Sequence, residues 1–422
     1  MRIYCKTFGC RVNQYETEAV SARLLADGAS RAVADYEDAD LCVINTCTVT
    51  RAADKDALQI IRRIARRNPA ARLVVTGCLA SRDREEIRKI SPAALIVGNK
   101  EKKDIPALLG CRSVPHEAGL KIFSKHSRAF VKVQDGCNMR CAYCIVPTVR
   151  PQLTSRPPAQ VAEEFRTLIG NGYRELVLCG VRLGRYKAED KTDFVGLLER
   201  LAALPGDFRI RLSSLEITDI TARLLRVIAG SAGRICPSFH LPLQSGSDRI
   251  LKRMKRWYAT EPFARRIAAL RARIPDAGIF TDVMVGFPGE TRKDFQASLR
   301  FVERTGFSGL HVFRYSRRGG TPAAEFADQV DDRELLARAA GMRALDKKLR
   351  AAFAAAAAGS RRRIIVEEKG ARAQGLTDHF LRVGLDRNPG PGLYWARIGG
   401  GARAKIELSV PGEFATRTAA AK

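Results

Sequence analysis

At 422 residues the chain is long enough for several domains, and 45% hydrophobic content supplies a sizeable core. Its net charge of +28 is self-repulsion that an anionic partner relieves, with nucleic acid the foremost candidate. No apolar run of about 18 residues and no signal-peptide pattern at Met1-Arg-Ile-Tyr4 is present, so no membrane association and a cytoplasmic location are expected. The 11 cysteines then read as metal ligands, reactive thiols or core thiols before disulfides.

The N-terminal third alternates strands and helices. Arg2 to Cys10, Leu41 to Cys47 and Leu73 to Cys78 read as short strands, each ending in a cysteine beside Gly or Thr. Helical patterns, Thr17 to Asp27 and Ala53 to Arg67, lie between them. Alternation of this kind implies an open parallel sheet, whose ligands gather outside the carboxyl ends of the strands. Cys10, Cys47 and Cys78 are therefore expected on one rim as a tri-thiolate site. Cys5 and Cys42 fall within strands and read as small core residues. Cys111, after the helix end Leu108-Leu-Gly110, has no assigned role.

The middle of the chain holds a second set. Val133 to Pro147 contains Cys137, Cys141 and Cys144 at C-x3-C-x2-C spacing, just after an apolar strand. Three thiolates are one short of the four that close an iron–sulfur cubane or a structural zinc site, so one iron stays open to a ligand. A zinc knuckle with a distant fourth ligand is the lesser reading, since no second C-x2-C or His-x-His lies nearby.

Six strands are expected from here on: Phe130–Gln134, Glu175–Cys179, Phe208–Leu212, Ser238–Leu243, Gly278–Val283 and Leu310–Phe313. Helical patterns such as Ala159 to Gly170 and Thr291 to Arg304 follow them. This is a partial (β/α)6 barrel, with its active face at the carboxyl rim. Gly180, Ser214, Gln244, Val283 and Gly286 sit in strand-end clusters on that rim, where small residues allow close approach of a nucleoside. Cys179 and Cys236 read as core.

A long Ala- and Arg-rich helix, Asp331 to Ala358, is broken at Gly359-Ser360. Five short strands follow: Arg363–Glu367, Ala371–Gly375, Phe380–Val383, Gly392–Ile398 and Ala404–Ser409. They suggest a small antiparallel β-barrel of the oligonucleotide-binding kind. Arg361, Arg362, Arg363 and Arg382 make it basic and are candidate RNA contacts, with Arg372 among the further basic residues. Arg62, Arg63, Arg66 and Arg67 form a second basic cluster; Lys252, Arg253, Lys255 and Arg256 beside Trp257 form a third. A structural cap is the alternative role for the barrel, and solvated charge the alternative for each cluster.

The Cys137 run resembles the radical S-adenosylmethionine (SAM) superfamily. The resemblance implies that three thiolates bind a 4Fe–4S cluster, SAM chelates the open iron, and Tyr143 contacts the adenine. The three parts in order look like the methylthiotransferases: an N-terminal three-cysteine domain over 1–112, a radical SAM core over 123–355 and a TRAM domain over 358–420. Phe8 to Glu18, Asn45 to Thr50, Gln134 to Cys137, His240 to Asp248 and His311 to Pro322 are most similar to the tRNA threonylcarbamoyladenosine branch. That branch implies methylthiolation of an adenine carbon 3′ of the anticodon in ANN-decoding tRNA. A radical is needed because that carbon has neither a leaving group nor an acidic proton. Two 4Fe–4S clusters and two SAM are implied: one cluster cleaves SAM, the set at Cys10, Cys47 and Cys78 carries sulfur, and a second SAM gives methyl. An electron donor such as flavodoxin or ferredoxin and a monomeric state are expected.

Pro151, Thr148 and Cys179 depart from the family's usual Gly, aromatic and Thr. The rival targets are an isopentenyladenosine tRNA and a ribosomal-protein aspartate. A rival of another class is a non-catalytic iron–sulfur RNA-binding regulator.

Overall fold

The computed structural model describes residues 1–26, 28–111, 119–123, 128–367 and 374–407. Asp27, Arg372, the start of the expected strand at Ala371, its counterpart's end at Ser409 and residues 408–420 of the expected third domain lie outside them.

Strands β1 (Arg2–Thr7), β2 (Arg31–Ala32), β3 (Leu41–Thr46), β4 (Arg72–Gly77) and β5 (Leu95–Val97) form one parallel sheet in the order β2-β1-β3-β4-β5. Central β3 is buried along its whole length, as a strand covered on both faces must be. The helix Arg51–Arg67 starts where Thr50 accepts a hydrogen bond from the Ala53 amide at 3.2 Å. The helix expected from Thr17 begins earlier, at Arg11, with Cys10 as its N-cap. Its first turns bury Asn13, Tyr15, Glu16 and Thr17 against polar partners, so apolar periodicity does not reveal them.

The middle barrel uses β6 (Arg128–Asp135), β8 (Glu175–Gly180), β9 (Arg209–Leu212), β10 (Ser238–His240), β11 (Gly278–Val285) and β12 (Gly309–Arg314), with β7 (Thr154–Ser155) antiparallel on the edge of β6. The sheet β7-β6-β8-β9, parallel apart from β7, is followed by the parallel sheet β10-β11-β12, and the chain just before β10 bridges β9 at Ile210–Ile235. Outward residues such as Val131 and Val133 pack in one core with Val161, Phe165 and Leu168 of the helix Pro158–Gly170. Alternate residues turn inward: Phe130, Cys179, Arg211, His240, Asp282 and His311 line the interior.

After the helix Asp332–Ala356 come β13 (Arg361–Val366), β14 (Gln374–Thr377), β15 (Arg382–Leu385), β16 (Gly392–Ile398) and β17 (Arg403–Glu407). They close as a barrel in the order β13-β14-β15-β17-β16. It is not wholly antiparallel, because β15 and β17 pair in parallel to close it.

This small barrel plugs the amino end of the larger one. Buried Arg209 donates to the carbonyls of Arg363 and Leu376, and buried Arg211 to those of Thr377 and Asp378. Both guanidiniums also pair with buried Glu175. Phe280 meets Phe380 edge-on at 5.4 Å and Phe353 at 5.9 Å. No helix among the described residues is long and apolar enough to cross a membrane.

Candidate functional site: two thiol sets on facing rims

The first set follows three adjacent strand ends. Cys10 follows β1, Cys47 follows β3 and Cys78 follows β4. A Cβ on Gly9 would lie 2.8 Å from Cys47 Sγ, so glycine there leaves room beside the thiols. Gly77, at φ +99, turns the chain before Cys78. Burial pushes the Cys47 thiol up to about 11, with Cys78 and Cys10 adding to it. Cys10 is exposed, with Cys78, Arg150 and Glu16 as its ionisable neighbours.

The second set occupies the loop after β6. Gly136 has φ +80, and a Cβ there would strike the Gln152 carbonyl, so only glycine makes this turn. The Cys137 amide donates to the Arg150 carbonyl at 2.9 Å and that of Cys144 to the Cys141 carbonyl at 3.1 Å. Burial pushes the Cys144 thiol up to about 12 and that of Cys137 upward, with the neighbouring thiols adding to both. Thiols crowded this way ionise when a cationic centre binds them, which suits both sets to iron–sulfur ligation.

Arg256 completes this pocket. Its side chain is 3% exposed, pairs with Glu216, and donates from Nη1 to Cys141 Sγ at 3.3 Å. Trp257 lies between Arg256 and Arg182, at 4.2 and 5.1 Å from ring centroid to guanidinium carbon. The third basic cluster is thus only partly a surface: Arg253 is tied to Asp328 and the Pro288 carbonyl, while Lys252 and Lys255 remain exposed.

The rim residues divide. Tyr143 meets Phe287 edge-on at 6.5 Å, beside the loop. A Cβ on Gly180 would lie 2.9 Å from Gln134 Oε1, so that spot admits only glycine without a shift. Ser214 Oγ is 2.6 Å from His240 Nδ1. Gln244 takes φ +70 and pairs with Val283, extending the β10–β11 pairing to the rim. The Val283 side chain is buried in the core, so only its backbone reaches the rim. The Gly286 amide is committed to Glu290 Oε2 at 2.7 Å, and its open side is filled by Leu335. Buried Arg182 Nε and Nη1, Ser213 Oγ and Tyr315 OH have no hydrogen-bond partner among the described residues, which leaves them available to a polar cofactor.

A buried polar network joins the two rims. Arg150 forks onto Glu16, Nη1 to Oε1 at 2.8 Å and Nη2 to Oε2 at 2.7 Å, and also donates to Asp135, Asn13 and Asn99. Asn99 donates to Cys78 Sγ at 3.5 Å. Lys102 and Lys132 complete the ring around Glu16. Burial opposes the Glu16 charge, but Lys102, Lys132 and Arg150 outweigh it and hold this carboxyl well below its ordinary range.

Sequence reasoning missed Arg11, Arg150, Arg256 and the trio His240, Asp282 and His311. In that trio, ring nitrogens lie 2.9 and 3.2 Å from Asp282 Oδ1 and 3.1 Å from each other. His240, His311 and Arg11 lie within stretches that carried the family resemblance, which named the segments but not their roles.

Candidate RNA contacts also divide. Arg361 lies 4.6 Å from the Trp395 ring centroid, and Arg382 is exposed. Arg362 and Arg363 are 12% exposed and pair with Asp276 and Asp207 of the middle barrel.

The family comparisons follow this division. The family model described as "Uncharacterized protein family UPF0004" matches residues 2–98, and that of the radical SAM superfamily matches 131–302. A threonylcarbamoyladenosine tRNA methylthiotransferase from Chlamydia pneumoniae is 38% identical over 89% of this chain and 89% of its own. Its namesake from Bacillus subtilis is 38% identical over 89% and 88%. The chain belongs to the radical SAM tRNA methylthiotransferases. A tRNA-2-methylthio-N(6)-dimethylallyladenosine synthase from Corynebacterium diphtheriae, 33% identical over 88% of the chain and 77% of its own, shows that the family spans two nucleosides. The radical SAM methyltransferase TsrM from Kitasatospora setae shares the fold at a TM-score of 0.57 and 13% identity, covering 88% of this chain and 79% of its own. As a radical SAM methylthiotransferase the chain uses SAM and 4Fe–4S chemistry.

Proposed function

We propose that this methylthiotransferase modifies N6-threonylcarbamoyladenosine at position 37, beside the anticodon of ANN-decoding tRNA, placing the methylthio group on C2. The observation that carries the reading is the 38% identity over 89% of the chain to threonylcarbamoyladenosine enzymes, and the two tri-cysteine sets joined through Arg150 support the chemistry. Cys137, Cys141 and Cys144 would hold the cluster that binds SAM; Cys10, Cys47 and Cys78 would hold an auxiliary 4Fe–4S cluster. When bound, these groups supply hydrogen abstraction and the sulfur, and a second SAM the methyl group.

The chain's own residues do the positioning. Arg150 ties the Cys137 loop, through its carbonyl, to Glu16 and Asn99 on the other rim, through its guanidinium. Arg256 presents a cation to Cys141. Tyr143, Gly180, Ser214 and Gln244 shape the nucleoside side of the mouth, with Val283 and Gly286 shaping its backbone. The described surface favours RNA contact by Arg361 with Trp395, by Arg382, by Lys252 and Lys255, and by the exposed Arg62, Arg63, Arg66 and Arg67. Arg362 and Arg363 serve domain docking in this reading. The boundaries 1–112, 123–355 and 358–420, the TRAM assignment, the cytoplasmic location, a flavodoxin- or ferredoxin-type donor and a monomeric enzyme belong to the same proposal.

The test is nucleoside mass spectrometry of tRNA from cells with and without the gene. Loss of 2-methylthio-N6-threonylcarbamoyladenosine supports the proposal. Loss of the isopentenyl counterpart would move the protein to the sister activity.

A further inference from the structure

We infer that Arg11 binds the carboxylate of the threonylcarbamoyl group and so sets the enzyme's choice of nucleoside. The inference rests on the substrate proposed above and deepens it.

Arg11 opens the helix Arg11–Leu24, directly after Cys10. Its guanidinium carbon lies 5.9 Å from the Phe130 ring centroid, which places it at the interior wall of the middle barrel. Three other interior cations are already matched, whereas Arg182, beside Trp257 at the mouth, keeps Nε and Nη1 without a hydrogen-bond partner among the described residues. Arg128 pairs with Glu175 and Glu367, Arg211 with Glu175, and Lys132 with Glu16 and Asp135. The two histidines share Asp282. Arg11 forms no ion pair among the described residues. Arg128 and Arg211 stand near it with the same charge, and Glu175, the carboxylate nearby, is already shared by three other arginines. Arg11 is half-buried, so its guanidinium stays open to a ligand that brings an anion.

The chemistry of the base points the same way. In adenine, C2 and the carbon bearing N6 flank the same ring nitrogen. Both lie on the base's pairing edge, so a base that presents that edge to the Cys10 set brings a long N6 substituent within reach of the residues next to Cys10. Threonylcarbamoyl ends in a carboxylate, which a guanidinium fork binds through two parallel hydrogen bonds. An isopentenyl group offers nothing to that fork.

The test measures binding to the full-length, anaerobically reconstituted protein. Three anticodon stem-loops are compared: one carries threonylcarbamoyladenosine, one the same nucleoside with its carboxyl converted to carboxamide, and one plain adenosine. Iron content and the electron paramagnetic resonance spectrum are recorded for wild type, Arg11→Gln and Arg11→Lys. The wild type is expected to prefer carboxylate over carboxamide by about 10- to 100-fold, the worth of one charge-assisted contact. Arg11→Gln is expected to lose that preference while keeping its iron, its spectrum and its affinity for plain adenosine; Arg11→Lys keeps part of it. A wild-type preference that survives in Arg11→Gln, or an equal loss on all three RNAs, would overturn the inference and leave the substrate proposal standing. A wild type that binds the threonylcarbamoyl and plain RNAs equally would overturn both.

Discussion

Arg150, just after the Cys137 loop, and Glu16, on the helix Arg11–Leu24, form a two-point ion pair with both contacts under 3 Å, deep between the two thiol sets. Each brings other partners to the pair, so the interface is held by a network and not by one bond. Truncating one member leaves the other's charge buried and unmatched.

Glu16→Gln is therefore expected to destabilise the protein by about 3–5 kcal/mol, read as a lower denaturant midpoint. A well-packed double variant, Glu16→Gln with Arg150→Met, should recover part of that loss. Equal midpoints for wild type and Glu16→Gln would show that the network contributes nothing.

The two thiol sets predict metal content. Reconstituted protein should carry about eight irons, and replacing Cys137, Cys141 and Cys144 by Ala should leave about half. Cys47→Ala should still cleave SAM to deoxyadenosine with dithionite but transfer no methylthio group. Cys141→Ala should do neither. A Cys141 variant that made deoxyadenosine would contradict the division of labour.

Arg256 gives a redox prediction. A hydrogen bond and a positive charge at Cys141 Sγ favour the reduced, more negative cluster. Arg256→Gln should lower the midpoint potential of that cluster by about 60 mV, taking the contact as worth about 1.4 kcal/mol in a one-electron step. Electron paramagnetic resonance during a redox titration measures it; an unchanged potential would remove Arg256 from any electronic role.

Asp282 gives a pH prediction. Burial alone would raise its pKa, but hydrogen bonds from His240 and His311 dominate and hold it at about 2. Its folded value lies below its ordinary value of 3.8, so its contribution is complete above 3.8 and is lost as pH falls toward 2. The acid limb of stability should be shallower in Asp282→Asn, and thermal melts across that interval would show it.

The basic surface predicts salt dependence. Changing Arg361 and Arg382 to Gln should weaken tRNA binding and flatten its log–log salt slope by about 0.7 to 0.9 for each phosphate no longer neutralised. Changing Arg362 and Arg363 should instead lower the melting temperature. Removing residues 360–422 would do more than loosen the grip on RNA. It would strip the carbonyl partners from Arg209 and Arg211 and uncover Phe280, so the truncated chain should unfold more readily. Unaltered melting of the truncated chain would deny the plug its structural part.

Much of this was legible in the sequence, for local reasons. Parallel strands read as apolar runs, and thiol spacing and strand-end position do not depend on distant contacts. The Arg11 helix start was hidden because its buried face is polar. The docking of Arg362 and Arg363 was hidden because a run of arginines does not say which way each side chain turns. Arg256 read as surface charge for the same reason; only the fold brings it to a cysteine more than a hundred residues away.

The plug beneath the middle barrel has a kinetic consequence. With Phe380, Arg209 and Arg211 closing the amino end, the rim at the strands' carboxyl ends is the end of the barrel that the described residues leave for ligands to enter. SAM, the reacting base and every product share it. A bulky nucleic acid seated there would shut methionine and deoxyadenosine inside, so departure of the polymer, or its partial lifting, becomes the step that clears the chamber for the next SAM.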